Sequence, residues 1–260
     1  MLTTLNRALE KIVGFKLVRT QRTKPLPSTI KADNNLIVEF MGPSGVGKTT
    51  LRDYYLKHHK FSFEGEVITE KEVKNYHFDF DESKSKKEEI YRLLLAAQLK
   101  KISDTKDSFI KTHRRLNLFY DTLKNDFLIR NYLSDTIVFM DQHVFKFFTN
   151  DFIHLKKIDQ KQEFLQHRII IYCKASPEII VNHIEKRKQT GTTRPVHQQR
   201  NSKELHQQLQ EHLTEREKDI QTLRQNGAHL LEINTEKSLA ENTKLIDEFM
   251  TDYFTNQQSL

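Results

Sequence analysis

The chain has 260 residues, with 42 lysines and arginines against 35 aspartates and glutamates, and a formal net charge of +7 at pH 7. This length fits one α/β domain, with or without helical insertions. Seven glycines and five prolines exclude the collagen-like and low-complexity classes, and no apolar run approaches the ~20 residues of a membrane span. The single cysteine, Cys173, excludes an internal disulfide and a cysteine-based zinc site, and it favours a reducing compartment.

The positive charge is concentrated at the start of the chain. Residues 1–24 hold six basic residues and one acidic residue, a net of +5, which leaves +2 for the rest. We therefore expect no specific nucleic-acid binding. Apolar residues at helical spacing in residues 1–18 predict a basic amphipathic helix, and the prolines that follow predict a linker, so residues 1–34 form a separate N-terminal segment. Three roles stay open for the helix: packing on the domain, contact with a membrane surface or partner, or an organellar presequence.

From residue 35 onwards, strand and helix signals alternate. Short apolar runs predict five strands, at Leu36–Met41, Tyr76–Phe80, Thr136–Asp141, Arg168–Cys173 and His229–Ile233. Amphipathic stretches predict helices between them, at about 48–57, 86–103, 108–133, 176–187, 203–225 and 238–253. This alternation predicts an α/β fold with a parallel sheet of about five strands, helices on both faces and a long helical insertion at about 86–133.

One motif carries most of the functional argument. The segment between the first strand and the first helix matches G-x-x-x-x-G-K-[ST] and reads Gly42-Pro43-Ser44-Gly45-Val46-Gly47-Lys48-Thr49. Glycines permit a loop that wraps a phosphate, and the N–H groups of the loop and of the helix start, including Thr50, point at the anion. Lys48 can reach the β- and γ-phosphates, and the Thr49 hydroxyl can bind Mg²⁺. The pattern predicts a P-loop that binds a nucleoside triphosphate with Mg²⁺.

Several P-loop classes are excluded by missing motifs. No glycine has an aspartate three residues before it, and no Asn-Lys-x-Asp occurs, which excludes a GTPase. Gly-Gly never occurs, which excludes the signature of a transport ATPase. The strand that ends in Met140-Asp141-Gln142 lacks the Asp-Glu pair of helicases and ring ATPases, which argues against a water-activating enzyme.

Over roughly residues 35–255 the chain resembles the P-loop kinases related to nucleoside and nucleotide kinases. The P-loop is the first point of resemblance, and the strand that ends at Asp141 is the second, although Asp141-Gln142-His143 stands where many such kinases have Asp-Arg. The third is IIIYCKASPEIIVNHIEKRKQTGTTRP, which looks like their strand, Ser-Pro-Glu helix and lid. The fourth is Asn234-Thr235, which is similar to the turn near the adenine.

The resemblance implies a P-loop NTPase fold, ATP as the phosphoryl donor, and a domain over residues 35–260 with a lid at about 187–202. It implies that Thr49 and Asp141 hold Mg²⁺, and that Lys48, Asp141, Arg187 and Arg194 act in transfer. The lid also has a physical rationale, because residues 186–200 hold five basic residues and no acidic one, so they can neutralise charge on the phosphates. The alternatives are a solvated basic loop and, for Asp141, a helix cap.

The acceptor is less well defined than the donor. Asp79, Arg114 and Arg115 are candidate acceptor-site residues, against the alternatives of a solvated acidic turn and a surface salt bridge. The stretch LEKIVGFKLVR near the start is similar to the openings of some bacterial surface-polysaccharide enzymes, which suggests a lipid-linked glycan as acceptor. A nucleoside, a nucleotide and other metabolites stay open as well.

The sequence therefore predicts an ATP- and Mg²⁺-dependent phosphotransferase that acts on a hydroxyl or phosphate of a small molecule or glycan. The alternative is a non-catalytic, regulatory ATP-binding protein that docks a partner or membrane through its N-terminal helix. We expect a cytoplasmic protein, with peripheral contact of residues 1–24 at the inner membrane face left open. The histidines show no spaced ligand set, so no metal beyond Mg²⁺ is expected.

Overall fold

A computed structural model describes residues 35–59, 66–73, 88–133, 135–191 and 200–257 of the chain. The predicted N-terminal helix and linker, the predicted strand at 76–80 and the centre of the predicted lid lie outside these residues. Within them, no helix is both long enough and apolar enough to cross a membrane.

The described residues alternate between strands and helices. The strands are β1 (Leu36–Met41), β2 (Glu66–Thr69), β3 (Thr136–Asp141), β4 (Arg168–Lys174) and β5 (His229–Asn234). The helices are α1 (Lys48–His58), α2 (Glu70–Val73), α3 (Glu88–Ser103), α4 (Phe109–Tyr132), α5 (Val144–Ile153), α6 (Ile158–Gln166), α7 (Pro177–Gln189), α8 (Ser202–Gln225) and α9 (Leu239–Gln257).

The strands form one parallel sheet in the order β2-β3-β1-β4-β5. The central strand β1 is buried along its whole length, which explains why it is almost entirely apolar. In a parallel sheet all strands end at the same edge, where ligands bind in open α/β folds. The register pairs Phe40 with Asp141, so the loop after β1 and the last residue of β3 are neighbours.

Helices cover the two faces of the sheet. On one face, buried apolar side chains of β1, β3 and β4 pack against α1, α7 and α9. The other packs Met41, Ile170 and Tyr172 against α3, α5 and the last turns of α8, with a phenylalanine cluster on α5 and α6 at its centre. The fold class predicted from the sequence is thus confirmed as an α/β architecture with a five-stranded parallel sheet.

Four elements differ from the sequence-based prediction. Residues 144–153 and 158–166 form α5 and α6, where no helix was predicted. The second strand of the described chain is β2, a four-residue edge strand that was not predicted either, and the four-residue helix α2 that follows it was also not predicted. The remaining predicted strands and helices agree with the structure to within a few residues at their ends.

Candidate functional site

The loop between β1 and α1 has a backbone that only glycine adopts easily at three positions. Gly42, Gly45 and Gly47 have φ angles of +136°, +90° and +101°. A Cβ on Gly42 would lie 2.3 Å from the carbonyl oxygen of Cys173, and one on Gly45 would lie 3.1 Å from the Ile184 side chain. The glycines therefore serve both the turn and its close approach to β4 and α7.

Lys48 folds back over this loop. It is the first residue of α1, directly after the left-handed Gly47, and its side chain is buried. Its Nζ donates to the carbonyl oxygens of Gly42 at 3.0 Å and Pro43 at 2.8 Å. The structure thus holds an ammonium group inside the curve of the loop, where α1 also presents the positive end of its dipole without an acidic residue in its first turn.

Thr49 and Asp141 meet at the carboxyl edge of the sheet. The Thr49 hydroxyl donates to Oδ2 of Asp141 at 2.5 Å, across the gap between α1 and the end of β3. The other carboxylate oxygen, Oδ1, is buried and makes no hydrogen bond within the described residues. A buried carboxylate oxygen without a donor is costly, which is the situation that a bound cation relieves.

This pair fits Mg²⁺. The ion takes oxygen ligands, and in nucleotide sites it is held by one or two protein groups together with phosphate oxygens. The Thr49 hydroxyl beside the Asp141 carboxylate is such a donor set. A Mg²⁺ ion that is also bound by phosphate oxygens needs no cluster of carboxylates. No cluster of three or more metal-ligating side chains occurs among the residues that the structure describes.

Two further elements brace the loop. The Thr235 hydroxyl, just after β5, donates to the carbonyl oxygen of Val46 at 2.6 Å, and Nδ1 of His183 on α7 lies 2.8 Å from the carbonyl oxygen of Gly45. Asn234, predicted to lie near the nucleotide base, is the last residue of β5, and its side chain accepts from the backbone N–H of Glu236 at 3.0 Å. The turn after β5 therefore contacts the loop through Thr235.

The chain leaves Asp141 through a constrained turn. Gln142 has a φ of +61°, and its N–H donates to the carbonyl oxygen of Phe40 at 3.0 Å. Lys146, one helical turn further on, donates to the Gln142 side chain. His143, which follows Gln142, is buried and lies toward Asp126 in the protein interior.

A network of buried charged side chains lies beneath that turn. Arg168 places Nη2 2.5 Å from Oδ1 of Asp126 and Nη1 3.5 Å from Oε2 of Glu39, and all three side chains are fully buried. Nε2 of His143 lies 3.0 Å from the same Asp126 oxygen, although the ring is not aligned for a linear hydrogen bond. The hydroxyl of Tyr91 donates to Oδ2 of Asp126 at 2.7 Å.

Glu39 links this network to the helix that follows the turn. Its carboxylate accepts from the backbone N–H groups of Phe145 at 3.2 Å and Lys146 at 3.3 Å, at the start of α5. These are N–H groups that a helix leaves without an internal partner. The central strand therefore fixes the start of α5, and with it the turn that carries Asp141.

The two buried carboxyl groups have opposite electrostatic environments. Burial raises the pKa of Glu39, and the nearby charges of His143 and Arg168 offset this only in part. Burial also acts to raise the pKa of Asp126, but the charge of Arg168 and the imidazole of His143 outweigh it and hold that pKa well below its ordinary value. Asp126 is thus the carboxylate that balances Arg168.

The remaining predicted residues are placed as follows. Arg187 is exposed near the end of α7. Arg114 and Arg115 are exposed on α4, where Arg115 pairs with Asp107 at 2.6 Å, so the surface salt bridge considered for this residue is present. Thr50 is exposed on α1, beside Thr49. Arg194 and Asp79 lie outside the described residues.

Cys173 is the packed core thiol that its position in an apolar run predicts. It is buried near the end of β4, and burial, the largest effect, raises the pKa of its thiol to about 12. A thiol with so high a pKa is a poor nucleophile at neutral pH.

Sequence reasoning missed the buried network. The signal that could have shown it is a charged residue inside a buried strand, namely Glu39 in LIVEFM, and an arginine at the start of RIIIYCK. Buried charges require partners, so each of these residues implies an opposite charge elsewhere in the chain.

Comparison with known proteins gives little further information. No protein-family model matches the chain, and no curated protein matches its sequence. Among solved structures, the chain is similar to one described as a "putative kinase" from Chloroflexus aurantiacus j-10-fl, with 14% sequence identity and a TM-score of 0.40, over 84% of this chain and 99% of that chain. A likeness this distant does not indicate a substrate or an activity, so the functional inference depends on the site itself.

Proposed function

We propose that the chain is a Mg²⁺- and ATP-dependent phosphotransferase that moves the γ-phosphoryl group to a hydroxyl or phosphate of a small molecule or glycan. The observation that carries the proposal is the meeting of Thr49 with Asp141, 2.5 Å apart, beside a loop that encloses the ammonium of Lys48. A cation-binding pair and a phosphate-binding loop at one edge of a sheet are what a nucleoside triphosphate requires.

The loop supplies the donor site. Its glycines leave room for phosphate oxygens to approach the backbone, and N–H groups at the start of α1 favour an anion. Lys48, now held by two carbonyl oxygens, is within reach of phosphates that enter the loop. Thr235 and His183 keep the loop in one conformation, so little ordering free energy is lost when the nucleotide binds.

Thr49 and Asp141 would hold the metal ion. When bound, Mg²⁺ would neutralise charge on the β- and γ-phosphates. Thr49 is exposed, so its hydroxyl is open to a ligand on the outer side of the loop. The buried network would then contribute to metal binding, because Glu39 fixes the start of α5 and so the turn that follows Asp141.

The transfer step needs few protein groups. The acceptor oxygen forms a bond to the γ-phosphorus, the bond to the bridging oxygen of ADP breaks, and the proton of an acceptor hydroxyl passes to Asp141 or to water. Positioning and charge neutralisation supply most of the rate enhancement in this type of reaction. Arg187 and Arg194 are the proposed cations for the transferring group, and Asp79, Arg114 and Arg115 are proposed to contact the acceptor.

Calorimetric titration with ATP, in the presence and absence of Mg²⁺, tests the donor site. We expect Mg²⁺ to strengthen ATP binding to the wild type. In the Asp141→Asn variant, the ratio of the ATP affinities with and without Mg²⁺ should be smaller by at least about tenfold, while the affinity without Mg²⁺ is unchanged. Asp121→Asn, the same change on an exposed part of α4, is the matched control. Full Mg²⁺ dependence in the Asp141→Asn variant would contradict the assignment.

A further inference from the structure

Helices α3 and α4 form a hairpin, joined by residues 104–108 and packed against each other. Asn35 donates to the carbonyl oxygen of Ile129 at 2.9 Å, which fixes the last turns of α4 at the start of β1. The other end of the hairpin is only partly packed on the domain. Ile102 is buried and Lys101 pairs with Asp151 on α5, whereas Phe109 and Ile110, which follow the connection, are exposed. We call residues 99–115 the hairpin tip.

The hairpin tip exposes large apolar side chains. Phe109 is 82% exposed and Ile110 is 62% exposed, and they are adjacent in the first turn of α4. Leu99, in the last turns of α3, is 45% exposed. Single exposed apolar residues are common on protein surfaces, but two large adjacent ones in one helical turn form an apolar patch of the kind that marks an interaction site.

The same segment is strongly basic. It holds six basic residues and two acidic ones, Asp104 and Asp107, so its net charge is +4 out of +7 for the whole chain. Lys101 pairs with Asp151 and Arg115 with Asp107. The other basic side chains are exposed, and the structure gives them no ion pair with any described residue: Lys100, Lys106, Lys111 and Arg114. The first turn of α4 contains no acidic residue to offset them.

We propose that the hairpin tip docks on the anionic face of a lipid bilayer. Phe109 and Ile110 would enter the headgroup region, and the surrounding lysines and arginines would lie against acidic lipids. Exposed apolar residues and basic residues in one segment are the combination that such a surface recognises. This inference is independent of the proposed phosphotransferase activity, because it uses no residue of the P-loop or of the Asp141 turn.

The observations favour a bilayer over two other binding partners of this surface, the N-terminal segment of the chain and a nucleic acid. The N-terminal segment of the chain is itself basic, with a net charge of +5 in residues 1–24, so it would be repelled by a tip of +4. A nucleic acid would use the basic residues but would leave Ile110 exposed. A lipid surface uses both properties of the hairpin tip at once.

The chain contains no tryptophan, which allows a direct test. The Phe109→Trp variant of the full chain carries its single tryptophan at the hairpin tip, where excitation at the red edge of the absorption band avoids the eight tyrosines. The matched control is Ile158→Trp, because Ile158 is 66% exposed and lies next to Lys157, which pairs with Glu89 at the opposite end of α3. Each variant is mixed with phosphatidylcholine vesicles, with and without phosphatidylserine.

We expect the emission of the Phe109→Trp variant to shift to shorter wavelength with the phosphatidylserine vesicles only, and to be quenched by brominated acyl chains. The Ile158→Trp variant should not respond. Vesicle sedimentation without this shift would place the lipid contact elsewhere, for example in residues 1–24, and would overturn the proposal. A response to RNA together with none to vesicles would overturn it as well.

A charge variant tests the electrostatic part. Each lysine near an anionic membrane contributes roughly fivefold to binding, so Lys106→Ser with Lys111→Ser should weaken binding to phosphatidylserine vesicles by about 30-fold. The control removes the same charge from two exposed lysines on other helices, Lys218 and Lys244. Equal losses in the two double variants would show a diffuse charge effect and would contradict docking through the hairpin tip.

Discussion

The replacement Asp126→Asn tests whether the buried network holds the candidate site together. Asp126 is fully buried and accepts from Arg168 at 2.5 Å and from Tyr91 at 2.7 Å, with His143 at 3.0 Å. The amide keeps the shape of the side chain but removes its charge. Arg168 is then left in the interior with Glu39, whose carboxyl oxygen is 3.5 Å away and whose raised pKa makes it a poor substitute.

The expected cost follows from the burial of Arg168. Removal of one partner from a buried ion pair destabilises a protein by about 3–5 kcal/mol, because the remaining charge is not compensated. With a urea m-value of about 3 kcal/mol/M, this lowers the midpoint of unfolding by about 1–2 M. Asp121→Asn makes the same chemical change on the exposed face of α4 and should leave the midpoint unchanged.

Urea unfolding at neutral pH, followed by circular dichroism, gives the three midpoints. The reasoning predicts that the Asp126→Asn variant unfolds at much lower urea than the wild type and the Asp121→Asn control. A loss below about 1 kcal/mol would refute it, because Arg168 would then be compensated without Asp126.

Two further predictions concern the loop and the central strand. Gly42→Ala should abolish nucleotide binding, and it should lower the melting temperature more than the control Gly191→Ala does. Both positions have a positive φ, but only a Cβ at position 42 meets a carbonyl oxygen, at 2.3 Å. Calorimetric titration measures the nucleotide binding, and thermal unfolding measures the melting temperature. Glu39→Gln should gain stability relative to the wild type as pH rises above 4.5, the ordinary pKa of glutamate. The raised pKa means that Glu39 in the folded chain still binds a proton at pH values where the unfolded chain has released it. This contribution therefore lowers the stability of the wild type as pH rises, and it is absent from the glutamine variant. Urea unfolding at several pH values measures the difference in unfolding free energy, and a difference that does not change with pH would contradict the raised pKa of Glu39.

The parts of the fold that are visible in the sequence are those set by local pattern. Strands β1, β3 and β4 are mostly apolar, since they are buried on both faces of the sheet. The edge strand β2 has four residues with only Ile68 buried, so its pattern is too short to recognise. Helix α5 shows helical spacing in the sequence, but its many phenylalanines make the apolar face difficult to distinguish from the rest of the segment. The buried residues at this spacing include Val144, Phe145, Phe148, Thr149 and Phe152.

The residues of the candidate site also differ in whether local sequence could predict them. The glycine-rich loop before α1 lies within eight consecutive residues, and Asp141 ends a recognisable strand, so local sequence was sufficient to locate both. The partners of Arg168 are 42 and 129 residues away in the chain. Such contacts are set by how the helices pack on the sheet, which a single sequence does not reveal.

Phosphoryl transfer from γ-labelled ATP with Mg²⁺ tests the central claim most directly. The wild type and the Lys48→Ala variant are each incubated with an extract of the source cells, which is then separated into nucleotides, soluble sugars and lipid-linked glycans. We predict that label enters one fraction with the wild type and is lost with Lys48→Ala, which would establish the transfer and the acceptor class. Tight binding of ATP by the wild type with no label in any fraction would contradict the phosphotransferase and favour a regulatory nucleotide-binding protein.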